Sequence, residues 1–213
     1  MSNENLTIVV IQENRFPDVI NHLRYNFFAD EPLNKAVGLC QPGDSHYELE
    51  QHCLQTLKQG YSRMLIDNKG TIAGTVLNGI VQRGEREEAE RRLAEMNDKK
   101  FQTIFGLLYK VNEKIDLFSK YNVDDLFECR ILSVDDRYRG RGLANVLVKE
   151  SLETAKNAGF KIFKTDATGL YSQKVFLKYG FKTEAEILYL EIDENIRPEP
   201  PHQALKLMVK ILE

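Results

Sequence analysis

RYRGRGLA, residues 137–144, lies between two apolar runs whose periodicities differ. Residues 126–134 before it are typical of a buried strand, and residues 143–155 after it carry apolar side chains at helical spacing. A strand, a glycine loop and a helix start form a phosphate-binding arrangement, because the first amides of a helix lack internal partners and the helix dipole favours negative charge there. Gly140 and Gly142 let the backbone approach an anion, and three arginines add positive charge. We therefore predict a phosphate site in residues 137–144.

Four interpretations of this stretch compete. A Walker A loop requires Gly-Lys followed by Ser or Thr, which the stretch lacks. A Rossmann loop requires a small residue at the sixth position, where Asn145 stands, and it belongs to a first βα unit instead of a late one. A basic turn that only caps a surface helix is the third interpretation. The fourth is an Arg-x-x-Gly-x-Gly loop, which residues 137–142 match at each fixed position. We favour the fourth, because strand, glycines and helix fall in register.

The composition is ordinary for a globular protein, with 42% hydrophobic and 29% charged residues among 213. The net charge of −3 argues against a general binder of nucleic acids or anionic membranes. The N-terminus lacks the basic and apolar segments of a secretory signal, and no apolar run approaches the length of a membrane span. We therefore expect a cytoplasmic protein with neither nucleic-acid nor membrane partners.

Cysteine and histidine are few and scattered. Cys40, Cys53 and Cys129 are odd in number and lack metal-ligand spacing, and the four histidines are dispersed along the chain. We expect three reduced thiols, as is typical of the cytosol, and no bound metal.

The remaining pattern predicts one α/β domain over residues 1–213, without a linker, repeat or low-complexity break. A hairpin is expected around Asn68-Lys69-Gly70. A helix is expected to start with a capping box of Ser45 and Glu48, and the charged segment 85–100 should be a solvated helix face. The predicted strands are 6–11, 62–66, 71–81, 127–134, 161–165, 183–192 and 205–212. Besides the charged segment, the predicted helices are 17–28, 45–60 (the helix with the capping box), 101–115, 143–155 and 169–178.

The order of these elements, the glycine loop and the ending Tyr179-Gly180-Phe181 resemble the GCN5-related N-acetyltransferase (GNAT) superfamily over most of the chain. The resemblance implies a mixed central sheet of about seven strands flanked by helices, with a splayed pair of strands at the acetyl-CoA site. FADEPLN at 28–34, CRILSVD at 129–135 and the tail at 201–210 further resemble the insect arylalkylamine N-acetyltransferases, a dopamine N-acetyltransferase-like group. This second resemblance implies transfer of an acetyl group from acetyl-CoA to a primary amine such as dopamine, tyramine, octopamine or serotonin.

Such a reaction needs a proton acceptor. An aliphatic amine is protonated at neutral pH, because its pKa is around 10, and the ammonium ion cannot attack a thioester. The resemblance assigns the role of general base to Glu31, and Asp30 is the alternative. From composition alone, these two acids would be only a polar turn before Pro32.

The resemblance also assigns the acetyl-CoA contacts. The backbone at Leu132, Ser133 and Val134 is expected to bind the pantetheine arm and the thioester oxygen, while the Leu132 and Val134 side chains pack in the core. The loop residues expected to hold the pyrophosphate are Arg139, Gly140, Arg141, Gly142, Leu143 and Ala144.

Several groups compete for the role of protonating the leaving thiolate. Many superfamily members have a tyrosine four residues before the glycine of the Gly-Phe ending, where this chain has Phe176. The insect enzymes have been assigned two serines instead, which correspond to Ser172 and Thr168. A helix-start hydroxyl that bonds the backbone is an equal interpretation of Ser172. Tyr171 and Tyr179 are further candidates, and the coenzyme A thiol could also leave unaided.

The amine pocket is expected to combine an apolar slot, an aromatic wall and a carboxylate. The candidates for the wall are Tyr25, Phe28, Tyr47, Phe105 and Tyr189. Two alternative functions keep the fold. One is a GNAT acyltransferase for another amine, such as a polyamine or hydrazine, or for a longer acyl donor, and the other is a non-catalytic acyl-CoA-binding module. We expect a monomer, because the sequence suggests no coiled coil or large symmetric interface.

Overall fold

A computed structural model of the chain describes residues 5–212. Its strands are β1 (Thr7–Val10), β2 (Arg63–Ile66), β3 (Ile72–Gln82), β4 (Asp125–Val134), β5 (Ile162–Ala167), β6 (Lys182–Leu188) and β7 (Ala204–Ile211). These seven strands form one sheet in the order β1-β2-β3-β4-β5-β7-β6. β4 and β5 run parallel, and each other neighbouring pair in the sheet is antiparallel. The predicted mixed sheet of seven strands is confirmed.

Helices cover both faces of this sheet. They are α1 (Phe16–Asn26), α2 (Pro32–Val37), α3 (Tyr47–Leu57), α4 (Glu85–Glu95), α5 (Lys99–Glu113), α6 (Leu117–Tyr121), α7 (Leu143–Asn157) and α8 (Leu170–Lys178). On one face, α7 and α8 bury side chains such as Leu147 and Phe176 against the sheet. On the other, α1, α3 and α5 bury side chains such as Leu23 and Phe101 beside Ile131 of β4. Burial of apolar surface on both faces fixes the sheet between two helical layers.

The strands β4 and β5 diverge halfway along their length. Their pairing runs from Phe127–Phe163 to Cys129–Thr165, whereas β4 stays paired with β3 as far as Val134. The register between β3 and β4 shifts at Arg130, which is left without a partner in that ladder. Such a bulge bends a strand and increases its local twist. The far end of β4 therefore has backbone groups that face an opening instead of a neighbouring strand.

A buried ion cluster joins the two strands beside their last paired residues. Lys164 Nζ lies 2.7 Å from Oε1 of Glu128 and 3.0 Å from Oδ2 of Asp166, and Arg130 Nε lies 2.9 Å from Oε2 of Glu128. Burial acts to raise the pKa of Glu128, but the charges of Lys164 and Arg130 hold it well below its usual range. The cluster thus ties β4 to β5 where their separation begins.

Some predicted helix boundaries are wrong. The helix expected at 17–28 ends at Asn26, and α2 begins separately at Pro32. The predicted capping box of Ser45 and Glu48 is wrong. The N-cap of α3 is His46, whose Nδ1 accepts a hydrogen bond from the Leu49 amide at 3.3 Å. Nε2 of His46 also lies 2.9 Å from Asp98, the N-cap of α5, so a tertiary contact sets where α3 begins.

Two other segments are divided where the sequence predicts one element. The charged segment 85–100 forms α4 and, after a break at 96–98, the start of α5. On α4, the Glu88 carboxylate lies 2.5 Å from the guanidinium of Arg92, one helical turn later. The strand expected at 183–192 ends at Leu188, because the chain there enters a 3₁₀ turn that buries Tyr189.

Candidate active site

A cavity of about 960 Å³ opens where β4 and β5 diverge. Its wall comes from the α1–α2 connection, the end of β4, the glycine loop, the start of α8 and the tail at 194–202. All three predicted catalytic residues line it, namely Glu31, Thr168 and Ser172. The predicted cofactor-binding residues that line it are Leu132, Ser133, Val134, Arg139, Gly140, Gly142, Leu143 and Ala144. Arg141 is exposed outside this lining.

Glu31 is the N-cap of α2. Because Pro32 follows it, its backbone is extended, with φ −60° and ψ 135°. Its Oε2 accepts a hydrogen bond from the Asn34 amide at 2.8 Å, and its Oε1 accepts one from the Thr168 hydroxyl at 2.5 Å. Burial raises the pKa of Glu31, although the bonds from Thr168, Asn34 and Leu33 act to lower it. A carboxylate with a raised pKa is a stronger proton acceptor at neutral pH than an exposed one.

Asp30 lines the same cavity but has different partners. Its Oδ2 lies 2.9 Å from Nη1 of Arg139, which comes from the glycine loop. A second carboxylate, that of Asp136, lies 2.9 Å from Nη2 of the same guanidinium. Asp30 is therefore already paired with a cation, whereas the bonds to Glu31 come from uncharged donors. Of the two acids, Glu31 is the better placed to take up a proton.

The candidate proton donors are engaged with protein acceptors. The Thr168 hydroxyl donates to Glu31, and the Ser172 hydroxyl donates to the Gly169 carbonyl at 2.9 Å. The latter is the helix-start bond of the simpler interpretation of Ser172. Tyr179 donates to the Asn145 carbonyl at 2.9 Å, and Tyr171 is largely exposed at the rim of the cavity. The role of general acid stays a prediction for Ser172 and Thr168.

The glycine loop has the backbone conformation that its sequence predicts. Gly140 and Gly142 have φ values of 75° and 76°, in the left-handed region that other residues avoid. Gly142 is the N-cap of α7, and the first two residues of that helix, Leu143 and Ala144, line the cavity with it. A Cβ atom at Gly140 would meet no other atom within 4 Å. The requirement for glycine there is conformational, not a matter of space inside the protein.

The loop arginines stabilise the conformation of the loop through hydrogen bonds and ion pairs, in addition to giving it positive charge. Arg137 makes two bonds to the Asp135 carboxylate, at 2.8 and 2.9 Å, and these bonds lower the pKa of Asp135. Arg139 bridges Asp30 and Asp136. Arg141 donates to the Arg137 carbonyl at 3.2 Å. The guanidiniums of Arg137 and Arg139 are thus matched by carboxylates, which the sequence alone did not indicate.

The predicted aromatic wall is wrong, because none of its five candidates lines the cavity. Tyr25 and Tyr47 are exposed elsewhere, and Phe28 is fully buried in the core. Phe105 stacks on another ring of α5, and Tyr189 is buried with its hydroxyl bonded to the Thr168 carbonyl at 2.7 Å. The aromatic residues that do line the cavity are Phe27, Tyr138, Tyr171 and His202.

The resemblance suggested His202 as a substrate contact outside the catalytic set, whereas Gly169 was not predicted as a site residue; both line the cavity that contains Glu31. His202 Nδ1 accepts a hydrogen bond from the Leu170 amide at 3.1 Å and so caps the start of α8. A Cβ atom at Gly169 would lie 3.2 Å from Pro32 Cγ and 3.5 Å from the His202 ring. This close approach packs α8 against the residue that follows Glu31. The only signal in the sequence is the proline-rich tail, whose fold cannot be inferred locally.

Among residues 5–212, one group of potential metal ligands comes together, at His46, Glu48 and Asp98. Both ring nitrogens of His46 are already used, one by Asp98 and the other by the Leu49 amide. This arrangement is explained by helix capping. Within the same range, the helices lack the length and apolar character needed to cross a membrane.

Residues 39–181 match the acetyltransferase (GNAT) family, and the chain belongs to that family. Its members are acetyltransferases that use acetyl-CoA. The splayed strands, the glycine loop at a helix start and the cavity between them agree with this membership.

Solved structures resemble the chain along nearly its whole length. The crystal structure of arylalkylamine N-acetyltransferase 2 from Aedes aegypti is 50% identical, with a TM-score of 0.94, and the match covers 98% of this chain and 100% of that one. The mosquito arylalkylamine N-acetyltransferase like 5b is 22% identical, with a TM-score of 0.87 and the same coverage. A polyamine N-acetyltransferase from Drosophila melanogaster is 21% identical, with a TM-score of 0.85, again over 98% and 100%. The last two show a shared fold only.

Proposed function

We propose that this protein is an arylalkylamine N-acetyltransferase that transfers acetyl from acetyl-CoA to the primary amine of substrates such as dopamine, tyramine, octopamine or serotonin. The observation that carries the proposal is the position of the Glu31 carboxylate in the same cavity as the free end of β4 and the glycine loop. The 50% identity to an arylalkylamine N-acetyltransferase supports the substrate class.

In the proposed reaction, residues 139–144 hold the pyrophosphate and the backbone at 132–134 holds the pantetheine arm and the thioester oxygen. The ammonium group of the substrate binds beside Glu31, which takes one proton directly or through water. The neutral nitrogen attacks the thioester carbon, and backbone N–H groups stabilise the oxyanion. The tetrahedral intermediate then releases the second proton of the nitrogen to solvent and loses the coenzyme A thiolate, which gives the N-acetyl amine.

We propose that the proton taken by Glu31 reaches the leaving sulfur through a neighbouring hydroxyl. Thr168 Oγ1 lies 2.5 Å from Glu31, so this hydroxyl can accept the proton from the acid while it passes its own proton on. Ser172, in the first turn of α8, lines the same cavity. We propose that one of these two hydroxyls protonates the thiolate, and that Thr168 is the better placed because it contacts the base.

Release of free thiol from acetyl-CoA across a panel of amines tests this function. Glu31→Gln keeps the size and capping ability of the side chain but removes its basicity. We expect kcat/KM for the amine to fall by about 10²- to 10⁴-fold, with coenzyme A affinity unchanged. Glu87→Gln, which removes an exposed carboxylate on α4, is the control and should behave as the wild type. Full turnover by Glu31→Gln would reject the assignment of the base.

A second candidate is a GNAT acyltransferase for a polyamine. It is favoured by Glu194 and Glu199, two exposed acids that line the same cavity as Asp30 and could receive a second cationic group. Agmatine, spermidine, a hydrazine and a longer acyl-CoA in the same panel separate these substrates from arylalkylamines. Tight coenzyme A binding without thiol release for any amine would indicate the non-catalytic acyl-CoA-binding module.

We further propose one domain over residues 1–213 and a cytoplasmic location. Three free, buried cysteines support a reducing compartment. A monomer is also proposed, and light scattering during size-exclusion chromatography checks it.

A further inference from the structure

Under the free end of β4 lies a buried histidine to which the proposed reaction gives no role. His22, on α1, is 6% exposed, and its Nε2 lies 3.1 Å from Oγ of Ser133. Ser133 is 3% exposed and belongs to the lining of the cavity. The neighbours of His22 on the inner face of α1, Val19 and Leu23, are completely buried and apolar. The contact between His22 and Ser133 is directional, and so it favours one position of the strand.

The imidazole is neutral near pH 7. Burial lowers the pKa of His22 to about 4; Asp135 opposes this shift, and Arg137 and Arg139 add to it. A neutral ring has one N–H group and one lone pair, so it can pair with a hydroxyl as either donor or acceptor. The bond therefore forms without the cost of burying a charge.

The position of Ser133 gives this bond its importance. Ser133 pairs with Thr75 of β3, but on its other side β4 has already separated from β5. Its bond to α1 is a restraint that a strand with two neighbours would not need. Ser133 also belongs to residues 132–134, whose backbone is expected to bind the pantetheine arm.

The same helix holds the glycine loop. Asn26, one turn after His22, donates to the His22 carbonyl at 3.1 Å and accepts a hydrogen bond from the Asp136 amide at 3.1 Å. Asp136 leads directly into the loop. The last turn of α1 therefore fixes the end of β4 and the start of the glycine loop relative to each other.

We propose that His22 is a positioning residue for the acyl donor, which acts by holding Ser133 and the unpaired end of β4 against α1. The inference rests on the proposed function in one respect, because it places the pantetheine arm along residues 132–134. It predicts that loss of the bond weakens the interaction with coenzyme A and leaves recognition of the amine unchanged.

Two single variants and their combination test this role. His22→Leu removes the ring, and Ser133→Ala removes the hydroxyl with a minimal change in volume. His52→Leu is the control, because His52 is a half-buried imidazole, with its pKa also lowered to about 4 by burial, that packs on Phe105 away from the cavity. Coenzyme A affinity is measured by calorimetry, and KM is measured for acetyl-CoA and for the amine.

We expect His22→Leu and Ser133→Ala each to weaken coenzyme A binding by about five- to ten-fold, the effect of one hydrogen bond, with KM for the amine within about two-fold of wild type. The double variant should lose no more than either single one, because both changes break the same bond. His22→Asn, which keeps a polar group, should recover part of the affinity, and His52→Leu should bind coenzyme A normally.

Three results would overturn the proposal: normal coenzyme A affinity in Ser133→Ala, additive losses in the double variant, or an equal loss in His52→Leu. Ser133→Ala decides the matter even if His22→Leu does not fold. The calorimetric measurement needs no amine. If the wild type binds coenzyme A but acetylates no arylalkylamine, the proposed function fails while the role of His22 is still decided.

Discussion

Glu31 and Thr168 share one hydrogen bond, and it offers a way to observe the base directly. Burial raises the pKa of Glu31, and the Thr168 bond acts against that shift. Glu31 must be ionised to accept a proton, so activity should fall as the pH drops through its pKa. In Thr168→Val the opposing bond is lost, the pKa rises further, and the acidic limb of kcat/KM should move to higher pH. The pH profile of thiol release at saturating acetyl-CoA measures this shift.

The chain offers a matched control at the same position. Thr168→Ser keeps the hydroxyl that contacts Glu31 and should have an acidic limb close to that of the wild type. Superimposable profiles for Thr168→Val and the wild type would contradict Glu31 as the group that titrates. A loss of kcat in Thr168→Val without movement of the limb would instead favour a role for this hydroxyl with the thiolate.

At the scale of the elements, the ion cluster between β4 and β5 is the contact that limits their separation. Lys164 is 4% exposed and lies between Glu128 and Asp166. Lys164→Met leaves Asp166 without a cation and Glu128 with Arg130 alone, so we expect a loss of about 3–5 kcal/mol in the free energy of unfolding. Urea denaturation followed by circular dichroism measures it. Lys206→Met on β7, which breaks a partly exposed pair at 3.6 Å with Glu186, should cost at most about 1 kcal/mol. Equal losses in the two variants would contradict a structural role for the cluster.

The elements also show what the sequence could and could not predict. The strand, glycine loop and helix at 126–155 were predictable, because their signals are local: apolar periodicity and residues that tolerate positive φ. The cap of α3 was not, because His46 is selected by its contact with Asp98, which is distant in sequence. The prediction of the aromatic wall was wrong for a related reason. Phe28 follows the last turn of α1 and is buried in the core, whereas Phe27 beside it lines the cavity. The residue at which α1 ends determines which of the two side chains is buried.

For the whole molecule, the cavity matters because it joins segments from both ends of the chain. The connection at residues 26–36, the glycine loop and the tail at 194–202 all contribute to its wall. A ligand that contacts them together should stabilise the entire fold. Thermal unfolding with coenzyme A at about 100 times its Kd should therefore gain about 2.7 kcal/mol over the ligand-free protein.

A comparison of Gly142→Ala with Gly84→Ala separates the effect of backbone strain on stability from the effect on coenzyme A binding. Gly142 and Gly84 are both helix N-caps in the left-handed region, with φ values of 76° and 88°, but Gly84 precedes α4 and lies away from the cavity. Each alanine should lower the stability of the ligand-free protein by about 1 kcal/mol, because both impose the same strained φ. At a fixed coenzyme A concentration, Gly84→Ala should keep the full ligand-dependent rise in Tm, whereas Gly142→Ala should lose most of it, because its Cβ and any relaxation of φ disturb the amides that hold the pyrophosphate. Equal ligand-dependent rises in Tm for the two variants would place the coenzyme outside the glycine loop. They would contradict the prediction of a phosphate site in residues 137–144.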